Sequence, residues 1–377
     1  MQGLYIHIPF CVKKCGYCDF YSEVASEDEM RRFLAALECE LQQRAEQFAP
    51  LTPQTVFFGG GTPTRLSAEN LRELGRIIHR YVDTSHVIEW TSEINPGTLD
   101  AAKADALVEM GVNRASFGVQ SFNPKYLADL DRAHEAGKVD EALAFARTAG
   151  IQNINVDLIF ALPGQTIDEW YHDLEQALAL NTQHISLYNL TFEDDTPLTA
   201  RMERGKVEPL DDETAAEMYE LTVARCREVG FARYEVSNFA RPGFESRHNL
   251  LYWRCGDWLG IGPAAHSACG RLRWANVRDH REYAKALLDD GRLPLALDEL
   301  GGLLDEDFVA GIEGRAFGKL LLVVVAKDRE LLFEDGHGAL DDLQVVLAEI
   351  ESSSVVVVVV HGCLRQTSGR SRPERAR

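Results

Sequence analysis

Six times between Leu4 and Val229 a short apolar or β-branched run is followed by a longer stretch of helical periodicity, and this alternation constrains the fold more than anything else in the chain. Strands recurring at such spacing are joined by crossover helices and lie parallel. The expected strands are Leu4–Pro9, Thr55–Phe58, Val87–Glu93, Arg114–Val119, Ile154–Phe160 and His184–Leu190. Helical patterns fall near Glu27–Gln47, Ser67–Tyr81, Asp100–Met110, Lys125–Ala149, Thr166–Leu180 and Asp211–Val229. Ser67 ahead of Asn70 and Asp211 ahead of Thr214 read as helix starts, their side-chain oxygens capping free amides. Six sequential units predict an α/β fold, a partial (β/α)6 TIM-like barrel rather than a closed eight-stranded one. Its chemistry belongs on the loops at the C-terminal strand ends.

The loop after the first strand carries the strongest chemical signal: Cys11, Cys15 and Cys18 at spacing C-x3-C-x2-C. Three thiolates on one short loop can converge on a metal centre, and iron–sulfur clusters are normally held by four such ligands. With no fourth cysteine nearby, one iron would stay open to an exogenous molecule, as in catalytic rather than structural metal sites. A structural zinc site would need a distant fourth ligand, yet Cys39, Cys226, Cys255, Cys269 and Cys363 form no second knuckle. Disulfides account for the spacing less well, because three thiols are crowded together and the first strand begins by Leu4, leaving no room for a secretion signal. Reduced cysteines predict a cytoplasmic location.

Other informative loops follow the remaining strands. Gly59-Gly60-Gly61-Thr62-Pro63-Thr64 follows the second, where glycines would let amides approach a ligand or simply form a tight turn. It has neither a phosphate loop's ending nor dinucleotide-fingerprint spacing. Glu93, Gln120, Arg132 and Asp157 lie near other strand ends. They read either as solvated or capping residues, or as groups converging on one mouth, where carboxylates accept from amines or ribose hydroxyls and an arginine pairs with a carboxylate.

Composition sets outer bounds. The 377 residues suffice for two or three domains, or a barrel with additions. A formal net charge of −20 disfavours nucleic acid and anionic lipid as partners. The longest apolar runs, Leu320–Ala326 and Val355–Val360, are far too short to span a membrane.

Taken together, the cysteine loop with Tyr17, the glycine-rich second strand end, Tyr5-Ile-His-Ile-Pro-Phe-Cys11, Phe117-Gly-Val-Gln-Ser-Phe122 and Val156-Asp-Leu-Ile-Phe-Ala-Leu-Pro-Gly-Gln-Thr166 resemble the radical S-adenosylmethionine superfamily. Within it they resemble the branch shared by oxygen-independent coproporphyrinogen III oxidases and HemW heme chaperones, over roughly residues 1–300. The resemblance implies that Cys11, Cys15 and Cys18 ligate a [4Fe-4S] cluster whose open iron binds S-adenosyl-L-methionine. It also implies that Tyr5, Gly60, Gly61, Thr62, Glu93, Gln120, Arg132 and Asp157 bind that cofactor. The reduced cluster would split the sulfonium to give an adenosyl radical, with an electron donor supplying the reduction.

Three features separate the two members of the branch. Only ten residues precede Cys11, Phe20 stands where the oxidases resemble one another in carrying a fourth cysteine, and His248-Asn249-Leu250-Leu251-Tyr252-Trp253 matches the H-N-x-x-Y-W motif of the chaperones. These favour a heme chaperone that passes heme to acceptor hemoproteins, with a homodimer as a further implication. The alternatives are the oxidase, converting coproporphyrinogen III to protoporphyrinogen IX, and another radical reaction on a tetrapyrrole. His248 is the expected heme ligand and His266 a second candidate, the competing reading being ordinary aromatic packing.

The expected organisation is a barrel over residues 1–230, an accessory region over 231–300 and an atypical region over 301–377. That last segment, with six consecutive valines at Val355–Val360, reads either as a poorly ordered, altered gene end or as a replacement domain.

Overall fold

In a computed structural model, residues 1–132, 137–270 and 272–296 are described in full, together with the backbone of four strands beyond them. The expected alternation is realised in six parallel strands: β1 (Gly3–Ile8), β2 (Thr55–Gly60), β3 (Glu89–Ile94), β4 (Arg114–Gln120), β5 (Asn153–Phe160) and β6 (His184–Asn189). They pair strictly in sequence order. The connecting helices are α1 (Glu27–Gln47), α2 (Ala68–Tyr81), α3 (Ala101–Met110), α4 (Pro124–Asp129), α5 (Lys138–Ala149) and α6 (Ile167–Ala179), followed by α7 (Pro197–Glu203) and α8 (Asp212–Glu228).

Local chemistry explains where these helices begin. The Ser67 hydroxyl accepts from the Asn70 amide and the Asp211 carboxylate from Thr214. Reciprocal capping boxes start α1, through Ser26 and Glu29, and α6, through Thr166 and Glu169. Each satisfies amides that the first helical turn leaves without partners.

One helix differs from expectation. The pattern over Lys125–Ala149 divides into α4 and α5, because Asp131 adopts a left-handed backbone (φ 57°) just after α4. That turn sends Arg132 inwards instead of along a helix surface.

The sheet also grows beyond six strands. After β7 (Ala232–Arg233) and β8 (Asn238–Ala240) come α9 (Arg247–Trp253), β9 (Trp258–Ile261), β10 (His266–Cys269), β11 (Leu272–Ala275) and α10 (His280–Leu288). β8 and β7 extend the β6 edge, while β9, β10 and β11 extend the β1 edge, giving eleven strands in order β11-β10-β9-β1-β2-β3-β4-β5-β6-β8-β7. Residues 232–275 thus continue the barrel sheet on both sides.

Of the region 301–377, side chains lie outside the described residues. Backbone strands β12 (Val309–Ala316), β13 (Lys319–Lys327), β14 (Gln344–Glu349) and β15 (Val355–Gly362) pair antiparallel in order β12-β13-β15-β14. The valine run lies in β15, the residue type that a pleated strand favours.

Strand alternation sorts the barrel into two surfaces. Leu4, Ile6, Val56, Phe58, Phe117, Val156, Leu158 and Ile185 are fully buried in one hydrophobic core with the helices. Residues of the other parity face the lumen: Tyr5 and His7, Phe57, Glu89 and Glu93, Arg114 and Ser116, Asn155 and Asp157, His184 and Ser186. This face is predominantly polar.

Candidate functional site

The cysteine loop is fixed at both ends before the first thiol is placed. Phe10 is buried and packs edge-on against Phe33 at 5.1 Å, while Cys11 N donates to Glu23 O and Glu23 N to Pro9 O. Gly16 N donates to Leu130 O and its carbonyl accepts from Leu198 N, so the turn after α4 and the start of α7 hold the far end.

The glycine triplet proves to be a close-packing device. Gly61 N donates to Ile8 O and Thr62 N to Phe10 O, seating the end of β2 on the cysteine loop. A Cβ on Gly61 would lie 2.7 Å from Phe10 N, and one on Gly60 (φ 98°) would enter the His7 ring at 2.4 Å. Only glycine fits this approach.

Cys11, Cys15 and Cys18 line one end of a cavity of about 490 Å³ that runs down the lumen to Arg114, Asn155 and His248. Thr62 Oγ1 lies 3.6 Å from Cys11 Sγ, and Arg132 Nη1 donates to Cys15 Sγ at 3.4 Å. Arg132 also donates to Tyr17 Oη at 3.4 Å and to Gly118 O at 2.5 Å. Burial pushes the Cys18 thiol up to about 11. A bound cation at the sulfurs reverses that penalty, since thiolate rather than thiol is the ligand form. Three thiols at a cavity mouth, one beside a guanidinium, suit a thiolate-held cluster with an open side.

Of the eight residues expected to bind the cofactor, Gly60, Gly61, Thr62, Glu93, Gln120, Arg132 and Asp157 all line this cavity. Tyr5 stands behind them, its hydroxyl 3.1 Å from His7 Nδ1 and its ring stacked on Phe57. Gln120 takes a left-handed backbone (φ 69°) at a register shift between β4 and β5, an unusual conformation of the kind found at binding sites. The turn is anchored from α6: buried Asp173 accepts from Ser121 Oγ and, at 3.1 Å, from Phe122 N.

Burial shapes the cavity's electrostatics. It raises the Glu93 carboxyl to about 8, with Asp157 adding repulsion. Asp157 is raised by burial too, against the hydrogen bonds of Asn155 and Ser116 and the charge of Arg114. At neutral pH Glu93 holds a proton that a cationic ligand would displace.

The H-N-x-x-Y-W segment is α9, which closes the lumen floor. Glu89 on β3 accepts from Arg247 N and His248 N, both at 2.9 Å, and so binds the helix's first amides. His248 is buried (1% exposed), with Nδ1 2.8 Å from Thr55 Oγ1 and Nε2 2.8 Å from Tyr252 Oη, its ring stacked on Phe57 at 5.2 Å. Burial and Arg114 push it down to about 3, so it is neutral. Both nitrogens are engaged, and coordination of heme iron by His248 requires Thr55 or Tyr252 to give up its hydrogen bond. Trp253 stands 56% exposed on the outside. His266 opens β10 and is not among the residues lining the cavity.

Sequence reasoning passed over Asp173, Arg114, Ser116, Asn155 and Ser186. A signal was present: polar residues alternate along strands that read as buried on both faces.

Comparison with known proteins fits this geometry. Residues 5–177 match the Radical SAM superfamily. The chain is 39% identical over 292 residues to the heme chaperone HemW of Bacillus subtilis, covering 77% of each chain. It belongs to the HemW family. The HemW of Escherichia coli is 38% identical over 269 residues, 70% of this chain and 69% of that one. Among solved structures, coproporphyrinogen III oxidase (HemN) from Escherichia coli, a radical SAM enzyme, superposes with a TM-score of 0.69 at 25% identity, over 78% of this chain and 70% of that one. Membership in the HemW family carries a [4Fe-4S] cluster and S-adenosyl-L-methionine with it. No helix among the described residues is long and apolar enough to cross a membrane.

Proposed function

We propose that this chain is a heme chaperone that binds heme and delivers it to acceptor hemoproteins. The observation that carries the reading is the extent of likeness to HemW chaperones, 39% identity across 77% of both chains. The oxidase HemN shares the architecture at 25% identity. Phe20, which occupies the position of the oxidases' fourth cysteine, is 65% exposed beside the cavity mouth, where it offers apolar surface to a flat macrocycle.

Cys11, Cys15 and Cys18 hold the cluster, which when reduced supplies one-electron chemistry to a ligand on its open iron. Thr62 and Arg132 orient the sulfurs, while Gly60, Gly61, Glu93, Gln120 and Asp157 receive the polar groups of S-adenosyl-L-methionine, with Tyr5 supporting them from behind. An electron donor completes the system, and the protein acts in the cytoplasm.

The test is anaerobic, on cluster-reconstituted protein. Heme is titrated in one sample, and coproporphyrinogen III is supplied with S-adenosyl-L-methionine and a reductant in another. Stoichiometric heme binding without conversion is the expected result. Formation of protoporphyrinogen IX would replace the chaperone reading with the oxidase one.

A further inference from the structure

Deep in the lumen lies a cation that makes no hydrogen bond or ion pair among the described residues. Arg114 opens β4, is 2% exposed, and lines the same cavity as the cysteines. Its Nε has no hydrogen-bond partner, and among the described residues its guanidinium enters no hydrogen bond or ion pair. Arg132, by contrast, is bonded near the cluster loop, and buried Arg44 lies beside Glu40.

The polar groups around Arg114 are committed to one another. Asn155 Nδ2 donates to Asp157 Oδ1 and to Ser116 Oγ, each at 2.7 Å. His184 Nδ1 lies 2.6 Å from Asn155 Oδ1, and Ser186 Oγ donates to Asn238 Oδ1 at 2.7 Å. What is left over is the guanidinium fork, whose planar donors match a carboxylate. Arg114 lowers the Asp157 carboxyl through space without bonding to it, and a buried charge with no bonded counter-ion is costly, so a ligand that supplies one reduces the cost.

We propose that Arg114 is an anion receptor at the foot of the barrel, binding a carboxylate of a ligand that enters past the cysteine loop. Resting on the heme-chaperone reading, this carboxylate is a propionate of heme, held edge-first in the lumen. The other source of the same chemistry is the amino-acid end of S-adenosyl-L-methionine. Glu93 opposes an incoming anion little, because burial raises its carboxyl to about 8.

The experiment compares heme with heme dimethyl ester, whose propionates are masked, by anaerobic titration of the full chain with its cluster. Wild type should prefer heme at least tenfold. Arg114→Gln should lose that preference through weaker heme binding alone, and Arg114→Lys should lose it several-fold, for want of the fork. An undiminished preference in Arg114→Gln overturns the receptor; if that variant does not fold, an undiminished preference in Arg114→Lys does so. Should saturating S-adenosyl-L-methionine abolish the preference, and Arg114→Gln weaken that cofactor's binding, the receptor stands with the cofactor as its source. If wild type binds neither porphyrin, the chaperone reading fails, and succinate then probes the receptor. A succinate-dependent rise in unfolding temperature present in wild type and absent in Arg114→Gln upholds it, and equal responses overturn it.

Discussion

The two surfaces of the six parallel strands obey opposite rules. Towards the helices, Leu4, Phe58, Phe117, Val156 and Leu158 are fully buried and share one continuous apolar core. Towards the lumen, Glu93, Arg114, Ser116, Asn155 and Asp157 line a cavity. Ordinary barrels fill the interior with branched apolar side chains. Here the main apolar core lies on the outer surface, and the inner one carries charge at a cost in stability. Substitutions on the two surfaces should therefore separate folding from binding.

The largest effect on folding belongs to the outer surface. Phe117→Ala removes a fully buried ring from the core and should cost about 3–5 kcal/mol in chemical denaturation, while protein that remains folded keeps its ligand affinity. A loss below ~1 kcal/mol would mean that the outer surface does not carry the fold.

The lumen should show the reverse sign. Folded Glu93 keeps its proton up to about pH 8, while the unfolded side chain ionises near 4.5. Between those values the unfolded state binds fewer protons, so this group's contribution to stability falls as pH rises through the window and levels off above it. Glu93→Gln should match wild type near pH 4 and exceed it on the order of 2–4 kcal/mol by pH 8. Melting temperatures across that range decide the matter, and a difference independent of pH removes the assignment.

Smaller still is Ser67→Ala at the start of α2, which should lower stability by ~1 kcal/mol through loss of one cap and leave the lumen untouched. Smallest in stability is Cys15→Ala, which removes a small buried thiol that belongs to neither hydrophobic cluster. Its unfolding free energy without metal should shift by less than ~1 kcal/mol, whereas reconstituted iron and its visible absorption should be lost. Retained iron would show that Cys15 is not a ligand.

Much of this was legible in the sequence where one period ruled. Each of the six expected strands lies within two residues of the observed bounds, and Ser67 and Asp211 cap as read. What escaped depends on non-local geometry. Helical periodicity over Lys125–Ala149 gave no warning of the left-handed turn at Asp131 that directs Arg132 to Cys15. Nor did it show that residues 232–275 would attach to opposite edges of one sheet, since edge pairing is decided by the three-dimensional course of the chain. The glycine triplet was visible, but its purpose was split between two readings until His7 and Phe10 were seen against it. Polar residues in the strands were also visible, and only the curvature of the sheet turns them into a common lining.

The double attachment of His248 to Thr55 and Tyr252 has a kinetic meaning. A ligand that engages this imidazole must wait for Thr55 or Tyr252 to let go, so its capture rate should reach a plateau set by the protein as ligand concentration rises. A ligand bound by the lumen without disturbing α9 meets no such ceiling, and its capture should accelerate in proportion to concentration until mixing limits it. The shape of that curve in stopped-flow absorbance distinguishes capture by His248 from binding in the lumen alone.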